Sequence, residues 1–273
     1  MKKILAVIAA AAVALTLVGC VNLGDAKTSG SKWSKTFKLD ATGEIKDADG
    51  EDATYARGFA SLSTSKFCSA IETTITLPKE DKKDKVLNIP VSDQKNPLTN
   101  QFYKSVVGLA FDVHEYKKAD NKSYYSFVLV GVKPGDGGYY IEYYEDVLKD
   151  NLKESMNTNQ GSIGGKYTEV AAETNGWAGT ISGVDQEDCY TWKIRVTQDT
   201  AGTYKVLIND VVKGTYTRAL TEDETKDTKH NGKAYGQVFL YGNAPIGTKI
   251  EAKFASNKDK NVTVGLFADE DEF

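Results

Sequence analysis

The stretch Tyr190-Thr191-Trp192-Lys193-Ile194-Arg195-Val196 decides the fold class, because apolar and polar side chains alternate strictly along it. In an extended chain Trp192, Ile194 and Val196 fall on one side, and the polar residues between them fall on the other. This period of two predicts a β-strand with one buried face and one wet face. The cluster Asp199 to Gly202 that follows predicts a turn.

The same pattern extends outward in both directions. The composition favours strands, with 15 Tyr, 10 Phe, 24 Gly and only five Pro. One stretch, 146–156, has helical spacing, and 221–232 is predicted as a polar loop. The sequence therefore predicts an all-β sandwich. Among its strands are 104–116, 123–133, 138–146, 190–197, 203–209, 211–217, 235–241 and 248–254.

The order of strands over 190–254 resembles a known family. The Trp-bearing strand precedes Tyr204-Lys205-Val206-Leu207-Ile208-Asn209-Asp210, and Gly236-Gln237-Val238-Phe239-Leu240-Tyr241 comes later. This resembles the C-terminal half of concanavalin A-like jelly rolls, the lectin, glucanase and laminin-G type. The resemblance implies a two-sheet antiparallel jelly-roll β-sandwich, a fold that hosts many activities.

The first twenty residues predict export. Lys2 and Lys3 precede an apolar run that is too short to span a bilayer, and the run ends in Leu17-Val18-Gly19-Cys20. This resembles the lipobox of bacterial lipoproteins. The resemblance implies that the chain is cleaved before Cys20 and acylated, for example by palmitate, on that thiol. The bilayer is then a partner, because several acyl chains give stable anchoring. By the sorting rule of the lipoprotein family, Val21 in place of Asp implies the outer membrane of the cell envelope.

The predicted domain division follows from this anchor. Residues 1–20 are the signal peptide, 21–35 a flexible tether, 36–268 a single β-sandwich domain and 269–273 an acidic tail. Residues 1–20 contain two of the 34 basic residues and none of the 38 acidic ones, so the mature chain has 32 against 38 and a net charge of −6. This acidic balance argues against nucleic acid as a partner.

Two cysteines remain beside Cys20, namely Cys68 and Cys189. An even pair in an exported protein predicts a disulfide, and two buried free thiols are the alternative. They lie far apart in sequence, and His114 and His230 have no ligand spacing to them, so no metal site is predicted. The acidic run from Asp47 to Asp52 fails as an EF-hand but leaves a structural Ca²⁺ as an option against a solvated turn.

The candidate ligand-binding residues are aromatic. Sugars pack their C–H faces on aromatic rings, while tyrosine hydroxyls and nearby carboxylates hydrogen-bond their hydroxyls. Since tyrosine is also a good strand former, packing in the core is the competing interpretation. The candidates are Tyr124, Tyr139, Tyr140, Tyr143, Tyr144 and the loop residue Trp177.

No catalytic residues are predicted. The nearest approach to the carboxylate cluster of glucanases is Glu142 and Glu145, whose spacing places them on opposite faces of a strand. We therefore expect a non-enzymatic envelope lipoprotein that binds carbohydrate. The alternatives are a structural or host-facing surface lipoprotein that binds protein, and a glycan hydrolase.

Overall fold

The computed structural model describes a β-sandwich built almost entirely from antiparallel strands. The described residues are 22–24, 26–31, 34–39, 55–61, 70–78, 80–81, 85–86, 106–133, 138–149, 165–171, 181–228, 232–245 and 248–254. Within these ranges the strands are β1 (Asn22–Gly24), β2 (Ala26–Ser31), β3 (Ser34–Leu39), β4 (Tyr55–Ser61), β5 (Ile71–Pro78), β6 (Glu80–Asp81), β7 (Lys85–Val86), β8 (Val106–Lys117), β9 (Ser123–Val132), β10 (Tyr139–Leu148), β11 (Lys166–Ala171), β12 (Cys189–Thr200), β13 (Thr203–Ile208), β14 (Val211–Thr217), β15 (Gln237–Pro245) and β16 (Lys249–Phe254). One short helix, α1 (Glu222–Lys226), connects β14 with β15.

The strands form two seven-stranded sheets and a small hairpin of β6 and β7. Sheet A has the order β1-β4-β15-β8-β9-β10-β11, and sheet B has the order β14-β13-β12-β5-β16-β3-β2. Some neighbours in each sheet come from distant parts of the chain, as where β15 lies between β4 and β8. The predicted all-β, two-sheet antiparallel jelly-roll sandwich is confirmed.

The core lies between the sheets and follows the alternation of the sequence. Trp192, Ile194 and Val196 are at most 1% exposed, while the residues between them are only partly buried. Strand β9 is buried on both faces over most of its length. Between β13 and β14, Asn209 and Asp210 both have positive φ, of 48° and 65°, which is the backbone of a tight hairpin turn.

Two local predictions are corrected. The stretch predicted as a flexible tether, 21–35, contains β1 and β2, which pair with β4 and β3. Because edge strands are held by backbone hydrogen bonds, a polar sequence such as that of β2 can join a sheet without apolar alternation. The helix predicted for 146–156 is also wrong at its start, because β10 continues to Leu148. The remaining residues of that prediction, 150–156, lie outside the described residues.

Candidate functional site

The face of sheet A that points away from sheet B, here called the outer face, is aromatic. A second cluster of buried residues lies there, separate from the core between the sheets. Its buried aromatic members are at most 9% exposed. They are Phe59, Tyr125, Phe127, Tyr144, Phe239 and Tyr241.

Tyr140 packs against this cluster but stays partly exposed. It lies opposite Gly131 of β9, and a Cβ at Gly131 would stand 2.2 Å from its Cζ. The phenol end therefore occupies the space above Gly131 that any other residue would fill. Glu142 follows on the same face and accepts a hydrogen bond of 2.5 Å from the Tyr144 hydroxyl. A partly exposed ring and a carboxylate thus stand two residues apart on one strand.

The other candidate tyrosines are committed to packing. Tyr139 and Tyr144 are each 9% exposed, Tyr139 in the core between the sheets and Tyr144 in the outer cluster. Tyr143 stacks on Tyr216 at 5.0 Å between ring centroids. Tyr124 stacks on another tyrosine at 6.2 Å, and a lysine ammonium lies 4.6 Å from its ring centroid. Tyr124 and Tyr143 are partly exposed as well but are not part of the outer cluster, so Tyr140 is the described candidate that is partly exposed on the outer face.

Glu142 and Glu145 of β10 face opposite ways, as their spacing predicts. Glu142 binds the hydroxyl of Tyr144, which belongs to the outer face. Glu145 accepts a hydrogen bond of 2.8 Å from Tyr143, which packs on the core between the sheets. The pair cannot act together on one glycosidic bond.

A buried ionic cluster links the two sheets, and the sequence patterns did not predict it. Arg218 follows β14 in sheet B, and its Nε and Nη2 donate to the two oxygens of Asp112 of β8 at 2.6 and 2.8 Å. Its Nη1 and Nη2 donate to the two oxygens of Glu224 of α1 at 2.7 Å each. Tyr204 and His114 also contact Asp112, at 3.1 and 3.0 Å. We call these five residues the Arg218 cluster.

The charges in this cluster stabilise one another. Burial raises the pKa of Asp112, but hydrogen bonds from Arg218 and His114 outweigh it and hold the pKa below its ordinary value. Burial likewise raises the pKa of Glu224, and hydrogen bonds from Arg218 and two backbone N–H groups bring it below the usual range. The two carboxylates raise the pKa of Arg218 despite its burial. All three groups are therefore ionised at neutral pH.

Three residues of the cluster could in principle ligate a metal ion. Asp112, His114 and Glu224 offer ligand atoms that lie within 4.8 Å of one another. The guanidinium of Arg218 already holds both carboxylates through bidentate hydrogen bonds, and a cation would have to displace it. The arrangement fits a clamp between the sheets better than a metal centre.

One sequence signal could have indicated part of this cluster. The stretch Thr221-Glu222-Asp223-Glu224 is a capping box, in which the Thr221 side chain accepts from the Glu224 N–H and the Glu224 carboxylate accepts from the Thr221 N–H. The region predicted as a loop at 221–232 therefore begins with a helix. That Glu224 also binds Arg218 follows only from the tertiary fold.

The predicted disulfide between Cys68 and Cys189 is wrong, because Cys189 carries a free thiol. Cys189 lies opposite Pro78 at the end of β5, and Cys68 lies outside the described residues.

Several sequence predictions fall outside the described residues. They concern the lipidation site Cys20, the acidic run 47–52 proposed for Ca²⁺, Trp177, His230 and the acidic tail. In the described part of the chain, no helix has both the length and the apolar character needed to cross a membrane.

No family model matches the chain, and no curated protein matches it. Among solved structures, it is similar to the carbohydrate binding module CBM66 from Bacillus subtilis, with 11% identity over 85% of this chain and 94% of that one, at a TM-score of 0.37. A Bacillus subtilis protein of unknown function with a galectin-like fold matches with 8% identity over 87% of this chain and 88% of its own, at a TM-score of 0.38. The β-agarase A from Zobellia galactanivorans matches with 9% identity over 84% of this chain and 73% of its own, at a TM-score of 0.37.

Proposed function

We propose that this chain is a non-catalytic carbohydrate-binding module held to the cell envelope by lipid on Cys20. The observation that carries the binding function is the pairing of a partly exposed Tyr140 ring, seated above Gly131, with the Glu142 carboxylate on the same face. An aromatic ring packs against the C–H face of a sugar, and a carboxylate accepts hydrogen bonds from its hydroxyls.

The position of Tyr140 is favourable for such a role. Its ring end fills the space above Gly131, which lacks a side chain, and this contact limits the positions that the ring can adopt. A ring held in place loses little conformational entropy when a ligand binds. The Tyr144 hydroxyl similarly holds the carboxylate of Glu142.

A glycan array with the purified protein in detergent tests this function. We expect binding to a subset of glycans, and Tyr140→Ala should weaken it by about 2 kcal/mol, roughly 30-fold, as for an aromatic contact at the centre of a site. Tyr190→Ala is the matched control, because Tyr190 is a partly buried tyrosine of β12 in sheet B. Silence on the array, or equal affinity of the Tyr140→Ala variant, would refute the proposed site.

The absence of catalysis is tested with the same glycans. We expect no new reducing ends after prolonged incubation. If products appear and Glu142→Gln abolishes them, the hydrolase alternative replaces the binding module.

The lipid anchor is a proposal carried by the lipobox-like sequence that ends in Cys20. Intact-mass analysis of membrane-extracted protein should find a chain that begins at Cys20 and carries acyl groups. The Cys20→Ser variant should leave the membrane fraction. A bare thiol at Cys20, or a retained leader, would exclude the anchor.

A second candidate, a surface lipoprotein that binds protein, is favoured by two exposed apolar residues. Val211 and Val212 are 54% and 53% exposed on β14, an edge strand of sheet B. Cross-linking on intact cells that depends on both valines would support this candidate. Cross-linking that is unchanged in the Val211→Ser/Val212→Ser variant would count against it.

A further inference from the structure

The protein's own aromatic rings pack together across the outer face of sheet A. Phe59 of β4 and Phe127 of β9 are separated by β15 and β8, which would put their backbones about 14 Å apart at ~4.8 Å per strand. Their ring centroids are nevertheless only 5.6 Å apart. The rings therefore lean towards each other across β15 and β8, and β8 has the small Gly108 and Ala110 on this face as well as Val106 and Val113.

Further contacts between rings extend this aromatic packing to β15 and β10. Phe59 also lies 4.9 Å from Tyr241 of β15, and Phe127 stacks on Tyr144 of β10 at 5.2 Å. The four rings thus form a continuous packed layer from β4 to β10. Each is at most 9% exposed, so these four rings are not available to a ligand.

Tyr140 differs from these rings in both position and exposure. It lies on β10, next to the edge strand β11, and it is the described aromatic residue of the outer face that stays partly exposed. A polysaccharide that crossed the sheet would need a row of accessible contacts over several strands. The described residues offer one such ring, with Glu142 beside it.

We infer that this site takes one or two sugar units, such as the end of a glycan chain, and does not bind along an extended polysaccharide. This inference rests on the proposed carbohydrate-binding function and specifies its ligand class. One aromatic ring contacts about one sugar ring, so units beyond the second would extend over the packed layer or into solvent and add little affinity.

Calorimetric titration with oligosaccharides of increasing length tests the inference. The probes are cello-, xylo-, galacto- and fructo-oligosaccharides of one to six units, titrated into the purified full-length protein in detergent. We expect at least one series to bind with an affinity that changes less than about threefold between two and six units. An affinity that rises tenfold or more over that range would overturn the inference while leaving the carbohydrate-binding function intact. Silence in every series would overturn both.

Gly131→Ala provides a second test that leaves the Tyr140 side chain itself unchanged. The new Cβ would stand 2.2 Å from Cζ and 2.6 Å from Oη of Tyr140, at the flexible end of that side chain, so the ring should shift while the fold is kept. We expect the affinity to fall at least tenfold and equally for short and long oligosaccharides, with an unchanged circular dichroism spectrum. A loss confined to the longer oligosaccharides would show that the site extends beyond Tyr140 and would contradict the inference.

Discussion

Removing the positive charge from the Arg218 cluster should reverse the pH dependence of stability. The side chains of Asp112 and Glu224 are 2% and 1% exposed, and both bind Arg218 through bidentate hydrogen bonds. Arg218→Met leaves both carboxylates buried without their cation. Breaking a buried ion pair in this way costs about 3–5 kcal/mol, so we expect a loss of that size in the free energy of unfolding at pH 7.

The sign of the pH effect follows from the direction of the pKa shifts. In the native protein, folding lowers the pKa values of Asp112 and Glu224. Their contribution to the free energy of unfolding is therefore complete above the pKa values of the unfolded chain, which are about 4, and it is lost as the pH falls through the pKa values of the folded protein. In the Arg218→Met variant, burial without the cation raises both pKa values above those of the unfolded chain. The variant should therefore gain stability as the pH falls from 7 towards 5, by at most about 1.4 kcal/mol per pH unit for each proton bound.

Urea unfolding followed by the fluorescence of the buried Trp192 measures both effects. The control is the triple variant Asp112→Asn/Arg218→Met/Glu224→Gln, which removes all three charges together. It should recover part of the loss at pH 7 and show little pH dependence between 5 and 7, because no unpaired charge stays buried. A loss below about 1 kcal/mol for Arg218→Met, or a pH profile parallel to that of the native protein, would refute the role assigned to the cluster.

Two further predictions concern local contacts. Gln198 is 7% exposed and makes three hydrogen bonds to backbone groups. We therefore expect Gln198→Ala to lower the free energy of unfolding by about 2–3 kcal/mol. The control is Gln186→Ala at an exposed glutamine, which should change the free energy of unfolding by less than about 0.5 kcal/mol. Equal effects of the two variants in urea unfolding would contradict this. Because Cys189 carries a free thiol, Cys68 and Cys189 should both react with iodoacetamide in denaturant without prior reduction, and a reductant should leave the melting temperature unchanged. If mass spectrometry finds neither thiol alkylated until a reductant is added, the two cysteines form a disulfide after all.

Local patterns in the sequence were sufficient to predict the fold class. The alternation around Trp192 predicts a strand with one buried face because successive side chains of a strand point to opposite sides. The same rule correctly separates Glu142 from Glu145. It also places Tyr139 and Tyr140 on opposite faces, although it does not say which face packs against the second sheet.

These patterns could not predict contacts between distant parts of the chain. Asp112 and Arg218 are 106 positions apart, and neither stands in a motif that suggests the other. Counting cysteines likewise could not reveal that Cys189 carries a free thiol.

The sequence by itself determined that this protein is built from alternating strands, because burial of every second side chain is a local property of an extended chain. The tertiary structure decided which tyrosine is accessible and which charges are paired. These depend on which strands from distant parts of the chain lie side by side, since the strand order brings Phe59 and Phe127 together and leaves Tyr140 on β10, next to the edge strand β11.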